Sequence, residues 1–328
     1  MNADMLQLTG VHHVSTLSAN IARSHDFYTR VLGLRLLIKT VNQDAPQMYH
    51  LFFGDGAGTP GSDITIFDMP HATSEIRGNN AISLTTFRVA GDSAFPYWVS
   101  RFDRLGVTHS AVGTRDGRAV LDFEDFEGTQ LSLIDDSGVG TAFPWSGTDV
   151  PAEHQLRGLG YIAITVPSHA PTHRFLTDAL GLVEDHVYSL AEAPQFNVHV
   201  YRIGAGGVHA EVHVIVRGDL PRTRYGAGGV HHVALRVPHG QRMSDWVARV
   251  SSSGYGNSGI VDRHYFTSLY VREQNGVLFE LATDGPGFDV DHPLNGDVLS
   301  LPPFLEPQRE QIEAALMPLD TSKFAAHA

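Results

Sequence analysis

Four segments of the chain follow one plan, in which a short strand-like run leads into a helical pattern, a glycine and further extended stretches. The strand-like runs open at His13, Leu84, Tyr161 and His232. The helical patterns end at Gly33, Gly106, Gly181 and Gly254. Glycine is the residue that most readily adopts the left-handed conformation found just after a helix. The distances from opening residue to glycine are 20, 22, 20 and 22 residues, and this self-similarity predicts four modules of one supersecondary type.

Side-chain periodicity assigns the residues of each module to faces. Apolar residues recur at the spacing of one buried helical stripe in the first and fourth modules, at Phe27, Tyr28, Val31 and Leu32, and at Met243, Trp246, Val247 and Val250. Each module closes with another strand, at 63–67, 129–133, 209–213 and 277–281. Because successive side chains of a strand point to opposite faces, the apolar Val233, Leu235 and Val237 are predicted to face the helices. By the same alternation His232 and Glu280 point the other way, into a concave sheet surface.

Alignment of the modules places equivalent residues in two columns. The opening strands align His13, Leu84, Tyr161 and His232. The closing strands align Thr65, Ser132, Glu211 and Glu280, although Asp63 is a same-face alternative to Thr65. If two modules build one cup, the first and fourth supply two histidines and one acid. The second and third supply a set that we interpret as a decayed site around Glu211.

The first and fourth modules carry the residue types of a metal site. Both open with a His-His dipeptide, His12-His13 and His231-His232, and Glu280 interrupts an apolar run, where an unpaired buried carboxylate would be costly. The chain has no cysteine, so any metal must be held by nitrogen and oxygen atoms. The pattern favours Fe(II), Mn(II) or Zn(II) bound by His13, His232 and Glu280.

Composition limits the class of protein. A chain of 328 residues can bury a full core, and we expect two domains, at 1–150 and 151–328. The net charge of −13 and the scattered 23 basic residues argue against nucleic-acid binding. The sequence contains no apolar run of membrane-spanning length, and its start lacks the pattern of a signal peptide. A soluble cytoplasmic protein is therefore expected.

The chain resembles the vicinal oxygen chelate superfamily, which includes glyoxalase I and the extradiol ring-cleaving dioxygenases. More narrowly, it is similar to the hydroquinone-type ring-cleaving dioxygenases. The residues that carry this resemblance are the two His-His openings, the segments 41–46 and 49–55, and the segment 261–270 before Glu280. The resemblance covers essentially the whole chain. It implies an α+β fold of four βαβββ modules, which form two cup-shaped mixed β-sheets with the helices outside.

The resemblance also implies roles for particular residues. In these relatives the second histidine of each pair and the late glutamate bind Fe(II), which corresponds to His13, His232 and Glu280, with Mn(II) as an alternative ion. The catalytic positions correspond to His12, His231, Arg263 and Tyr270. His12 and His231 are either proton-handling groups or ordinary core histidines, Arg263 is an anchor for substrate or a surface ion pair, and Tyr270 is a proton donor or a buried tyrosine. No nicotinamide, flavin or oxo-acid cosubstrate is expected, and the partners are a small aromatic diol and O2.

Two rival functions remain open at this point. A glyoxalase-type lyase or isomerase would need a second acid at the fourth ligand position, where this chain has Thr65. A metal-free binding protein of the same fold would not need the three ligands. The C-terminal segment 302–317 predicts a polyproline-like entry into an amphipathic helix over 309–316, with Ile312, Leu316 and Met317 on one side. This helix could cap the cup or bind a neighbouring subunit, and we expect a homo-oligomer.

Overall fold

The computed structural model describes residues 6–290 and 294–321 of the chain. The first module contains β1 (Val11–Ser18), α1 (Ile21–Asp26), β2 (Arg35–Asn42), β3 (Ala45–Gly54) and β4 (Asp63–Asp68). The second contains β5 (Ala81–Val89), α2 (Ala94–Leu105), β6 (Gly113–Arg115), β7 (Arg118–Glu124) and β8 (Gln130–Asp135). Both follow the order strand, helix and three strands that the repeat predicted.

The other two modules have the same order. The third contains β9 (Leu159–Val166), α3 (His169–Arg174), β10 (Val183–Leu190), β11 (Ala193–Arg202) and β12 (Glu211–Val216). The fourth contains β13 (Val230–Val237), α4 (Met243–Ser252), β14 (Val261–Asp262), β15 (Phe266–Arg272) and β16 (Leu278–Pro286). A C-terminal segment adds β17 (Asn295–Leu299) and α5 (Arg309–Ala315). Short 3-10 turns cover Ala152–His154, Phe288–Val290 and Glu306–Gln308.

The strands form two mixed sheets, which confirms the predicted α+β fold. The first sheet has the order β14-β15-β16-β13-β1-β4-β3-β2-β17, and the second has the order β10-β11-β12-β9-β5-β8-β7-β6. The first and fourth modules therefore share one sheet, joined by the antiparallel pair β1 and β13. The second and third share the other, joined by β5 and β9. Each sheet takes one module from residues 1–150 and one from residues 151–328.

The helices cover the apolar faces of the sheets, as the side-chain alternation predicted. Val233, Leu235 and Val237 are fully buried in the core cluster that also contains Trp246 from α4. The apolar stripe of the first module is buried as well. The four predicted glycines have positive φ values between 68° and 86°, so each occupies the left-handed conformation after its helix.

Two details of the helices differ from a regular α-helical pattern. In the first and third modules the helix continues as a π-helical turn, over Phe27–Val31 and Phe175–Ala179. The apolar residues of these turns still face the core, so their burial alone does not distinguish a π turn from an α turn.

The C-terminal segment packs on the first module. β17 pairs with β2 in parallel, and the buried Lys39 Nζ donates to the carbonyl of Asp297 at 2.8 Å. Ile312 and Leu316 are buried as predicted, but Met317 is 67% exposed. The prediction for Met317 was wrong because the helix ends at Ala315 and Leu316 has an extended conformation, so Met317 does not continue the helical stripe. The predicted polyproline-like entry is instead a turn followed by a 3-10 turn.

Among the described residues, no helix has both the length and the apolar character that a membrane crossing requires.

Candidate metal centre and cavity

Two histidines meet where the central strands of the first sheet pair. β1 and β13 run antiparallel with Ser15 opposite His232 and His13 opposite Ala234. The pairing is irregular between Val11 and His13, so the ladder is interrupted at the first His-His dipeptide. Both predicted ligand histidines are about 3% exposed, and their Nε2 atoms lie 3.3 Å apart. The two modules thus bring the equivalent imidazoles together at one point.

Glu280 reaches the same point from β16, the neighbour of β13. Its Oε2 lies 2.9 Å from Nε2 of His232 and 3.3 Å from Nε2 of His13. The other oxygen accepts a hydrogen bond from the hydroxyl of Ser268 on β15. Burial opposes ionisation of Glu280, but the adjacent His13 and His232 hold the pKa of this carboxyl well below its usual range. It is therefore a buried carboxylate.

The geometry of these three donors fits a metal ion. Their mutual distances of 2.9 to 3.3 Å are close to the spacing of about 3 Å expected for adjacent ligands with bonds of about 2.1 Å. Oε2 of Glu280 is buried, and the Nε2 atoms of His13 and His232 beside it can satisfy it only where they carry a proton. An unsatisfied buried carboxylate oxygen is costly unless a cation binds it. Two imidazoles and one carboxylate could hold the cation on one face.

The fourth ligand position carries a hydroxyl group. β1 and β4 pair in parallel with Ser15 opposite Thr65, just as Ala234 lies opposite Glu280 in the fourth module. This register makes Thr65, rather than Asp63, the equivalent of Glu280. Oγ1 of Thr65 lies 2.7 Å from Oγ of Ser15 and 2.8 Å from Nε2 of His50. A second acid is therefore replaced by a hydrogen-bonded hydroxyl.

A cavity of about 440 Å³ opens beside the two histidines. Aromatic rings line much of it, and the lining includes Phe52, Phe67, Tyr265 and Phe266. The polar lining includes His50, His231, Arg263 and Tyr270. The cavity can therefore enclose a flat aromatic molecule and present polar groups to its substituents.

Arg263 and Tyr270 lie together in the cavity wall. Nε of Arg263 donates to the Tyr270 hydroxyl at 3.2 Å, and its Nη2 contacts a carboxylate oxygen of Asp44 at 2.9 Å. Tyr270 is the strand partner of Glu280. Burial and the nearby Glu280 raise the pKa of Tyr270. Arg263 therefore joins the β2–β3 turn of the first module to the wall of the fourth.

The remaining two predicted catalytic residues occupy different places. His231 lines the cavity, whereas His12 lies behind His13, 2% exposed and in edge contact with Phe266. Burial and the neighbouring His13 lower the pKa of His12 to about 3, so its ring is neutral. Its Nε2 is buried without a hydrogen-bond partner among the described residues. His12 is therefore not placed to meet a molecule in the cavity directly.

His50 is a further cavity residue, which the repeat and its spacing did not predict. Its ring packs between Phe52 and Phe67, with both centroid distances at 4.1 Å. Burial and the nearby His13 lower its pKa well below the usual range, so the ring is neutral. The sequence does offer one indication of this role, because His50 is a polar residue within the largely apolar segment 49–53. It also points to the same face of its strand as Phe52.

The second sheet has a cup with different chemistry. Glu211 lies in the predicted column, but Arg118 contacts both of its carboxylate oxygens at 2.7 Å. His213 lies 3.0 Å from one of these oxygens, and its ring stacks on Tyr161. The guanidinium group occupies the position that a cation would need. This arrangement supports the interpretation of a decayed site.

The fold and the two cups are those of the vicinal oxygen chelate class of metalloproteins and binding proteins. The family model of the Glyoxalase/Bleomycin resistance protein/Dioxygenase superfamily matches residues 10–123 and 158–281 of this chain. The chain belongs to this superfamily.

Relatives narrow the resemblance further. The chain is 45% identical over 320 residues to the Bacillus subtilis protein named "Putative ring-cleaving dioxygenase MhqA", covering 96% of this chain and all of the relative. It is 29% identical over 313 residues to the chlorohydroquinone/hydroquinone 1,2-dioxygenase of Sphingobium indicum, covering 93% and 95%. A crystal structure described as a putative dioxygenase of Bacillus subtilis superposes with a TM-score of 0.87 at 32% identity, covering 96% and 99%. The similarity to hydroquinone-type ring-cleaving dioxygenases is thus confirmed.

Proposed function

We propose that the protein is an Fe(II)-dependent ring-cleaving dioxygenase of the extradiol type, which acts on a hydroquinone-like or catechol-like diol with O2. The observation that carries this proposal is the convergence of His13, His232 and Glu280 beside an aromatic cavity. A 2-His-1-carboxylate face leaves adjacent coordination positions open, as an oxygenase requires. The iron, when bound by these residues, supplies the redox centre between diol and O2.

The cavity residues have distinct roles in this proposal. Phe67 and Phe266 bind the faces and edges of the aromatic ring, and they exclude water from it. The guanidinium of Arg263 steadies the negative charge that develops on the substrate oxygen. Tyr270, whose raised pKa keeps it protonated, holds a proton beside the cavity, and the neutral imidazoles of His50 and His231 can accept or return one.

The overall reaction needs no other organic cofactor. Ring opening inserts both atoms of O2 into the diol, and the ring itself supplies the four electrons that reduce O2. One relative is named as a dioxygenase of hydroquinone and chlorohydroquinone, which supports a para-diol for this chain.

The rival lyase or isomerase is less well supported by the cavity. That chemistry requires a carboxylate base near the metal, and the equivalent position is Thr65. Among the described residues that line the cavity, the one acid is Asp44, and it is paired with Arg263. The metal-free binding protein is less well supported because it leaves the buried Glu280 carboxylate without a function.

An oxygen-electrode assay tests the proposal. The chain is reconstituted anaerobically with Fe(II) and mixed with hydroquinone, chlorohydroquinone or catechol in air-saturated buffer. We expect uptake of about one O2 per diol and a new ring-opened chromophore. Isomerisation of a glutathione hemithioacetal without O2 uptake would instead assign the chain to the glyoxalase class.

A further inference from the structure

A second cluster of imidazole and carboxylate groups lies on the other sheet, away from the proposed iron centre. His169 and His173 project from the same side of α3, because they are one helical turn apart. Glu184 on β10 lies opposite Tyr201 on β11 in the strand register. His199 also projects from β11 toward this point. Neither the fold nor the proposed dioxygenase reaction requires three histidines and a glutamate here.

The donor atoms of the cluster converge. Nδ1 of His173 lies 3.1 Å from Oε2 of Glu184, and Nε2 of His169 lies 3.8 Å from Oε1. One nitrogen of each histidine and a Glu184 oxygen all lie within 4.8 Å of one another. Tetrahedral zinc with bonds of about 2.1 Å needs ligand atoms about 3.4 Å apart. The distances of 3.1 and 3.8 Å lie on either side of this value but end on different oxygens of Glu184, so a rotation of the carboxylate is needed to place one oxygen near both nitrogens.

The remaining neighbours orient these donors. Nδ1 of His199 lies 2.6 Å from Oε1 of Glu184, and the His199 ring stacks on His169 at 3.6 Å. The buried Tyr201 hydroxyl lies 2.7 Å from both Nε2 of His169 and Nδ1 of His173. A hydroxyl has one proton, so it can donate to one of these nitrogens and must accept from the other. Neighbouring groups thus hold both rings with their nitrogens directed at one place, and a metal ion bound there would replace both Tyr201 hydrogen bonds and the proton that one of these nitrogens now donates.

The ionic partners of Glu184 leave its carboxylate available to a divalent cation. Within the parts of the chain that the structure describes, Glu184 forms ion pairs with histidines and with no arginine or lysine. Its carboxylate is therefore free of a competing fixed cation.

We propose that His169, His173 and Glu184 form a second metal site, which takes Zn(II). Two imidazoles and one carboxylate are a recurrent zinc ligand set that leaves a position for water. The side chains are 27%, 38% and 28% exposed, so an ion can enter from solvent. His199 is a positioning residue, which holds the carboxylate through its hydrogen bond.

A third cluster on the chain provides a contrast. Asp116, Glu211 and His213 also have donor atoms within 4.8 Å of one another. Arg118 contacts both oxygens of Glu211, so a metal there would have to displace a fixed guanidinium. Both clusters bring their donor atoms close together, but the carboxylate of Glu184 pairs with histidines, whereas that of Glu211 pairs with an arginine.

Zinc at this site would join α3 to the β10–β11 ribbon. A ligand that binds the folded but not the unfolded chain stabilises the fold in proportion to the logarithm of its concentration. We therefore expect micromolar to millimolar Zn(II) to raise the melting temperature of the protein through this site. The first metal centre must be disabled in the same experiment, because it can bind zinc as well.

The test uses the full-length Glu280→Ala variant, freed of metal with a chelator and titrated with Zn(II) alone. We expect it to retain about one equivalent of zinc in equilibrium dialysis and to melt at a higher temperature with zinc. Adding His173→Ala should remove both effects, and His169→Asn is a second variant in case the first folds poorly. His109→Ala is the matched control, because His109 pairs with one carboxylate, that of Asp103, and should change neither measurement.

If the double variants with His173→Ala or His169→Asn bind as much zinc as Glu280→Ala itself, the proposed site is wrong. No zinc binding by Glu280→Ala would overturn it as well. The proposed dioxygenase function fails separately, if the wild-type chain with its cavity centre intact takes up no iron.

Discussion

Nδ1 of His13 lies 2.9 Å from Nδ1 of His12. The equivalent atoms of His232 and His231 lie 2.8 Å apart in the fourth module. If Nε2 of His13 and Nε2 of His232 bind a metal, their Nδ1 atoms must carry the proton, and each donates it to the preceding histidine. The repeated dipeptide therefore pairs a metal-facing imidazole with an acceptor that fixes its tautomer and ring orientation.

Replacing these acceptors should weaken metal binding without removing a ligand. We expect His12→Leu and His231→Leu each to lower metal affinity by about 10- to 100-fold, which is typical for partners of metal-bound histidines. Competition with a chromophoric chelator measures this change. His25→Leu, which alters a buried histidine outside the cavity, should have no such effect. Unchanged affinity in both dipeptide variants would mean that His12 and His231 do not orient the ligands.

Removing a proposed ligand should have a larger effect. Glu280→Ala and His232→Ala should abolish iron retention while the fold survives, because each removes a donor atom from the centre. Glu211→Ala should keep its iron, because this residue pairs with Arg118 in the other cup. Elemental analysis after desalting measures the iron that each variant retains. Loss of iron in the Glu211 variant alone would reverse the assignment of the two cups.

Features that depend on local periodicity could be predicted from the sequence. The helix-ending Gly106 and Gly254 require only a left-handed backbone, and Val233 and Leu235 require only strand alternation. The face of Glu280 follows from the same alternation, so the three proposed ligands could be named before their contacts were known.

Features that depend on contacts between distant segments could not be predicted. The Asp44–Arg263 ion pair joins residues 219 apart, and Ser268 meets Glu280 through a register that the sequence does not specify. The β1–β4 pairing identifies Thr65, and not Asp63, as the equivalent of Glu280. The ladder irregularity before His13 likewise depends on the partner strand.

The sheet topology predicts that neither half of the chain is active alone. Residues 1–150 contain His13, whereas residues 151–328 contain His232 and Glu280. Each half also lacks half of both sheets. We expect the separately expressed halves, with His173→Ala in residues 151–328 to disable the second metal site, to bind no stoichiometric iron and to consume no O2, and mixing them tests whether the centre reassembles. Tight Fe(II) binding by that variant half alone would show that it carries a complete iron site.

The Glu211 ion pair should make stability depend on acidity. Burial opposes ionisation of Glu211, but hydrogen bonds from His213 and Arg118 lower its pKa from 4.5 to about 2. A depressed carboxyl pKa stabilises the fold above the unfolded value, and this contribution is lost as the pH falls from about 4.5 toward 2. The loss is at most about 3 kcal/mol over that window. Urea unfolding between pH 6 and about 3.5 should show a steeper loss of stability for the wild type than for Glu211→Gln. Parallel curves would contradict the ion pair.

Arg263 and Tyr270 should affect turnover far more than metal content. Neither is a proposed ligand, yet their 3.2 Å hydrogen bond lies in the cavity wall beside His232. Removing one group that stabilises developing charge typically costs about 100- to 1000-fold in turnover, so we expect a loss on this order for Arg263→Ala. Tyr270→Phe should lose less, because it keeps the ring and removes only the hydroxyl. The second cup offers a matched control, since Arg115 donates to the Tyr161 hydroxyl at the same 3.2 Å. Tyr161→Phe should leave O2 uptake, ring-opened product and iron content unchanged. If Tyr270→Phe and Tyr161→Phe behave alike, the Arg263–Tyr270 pair has only a structural role in the cavity wall.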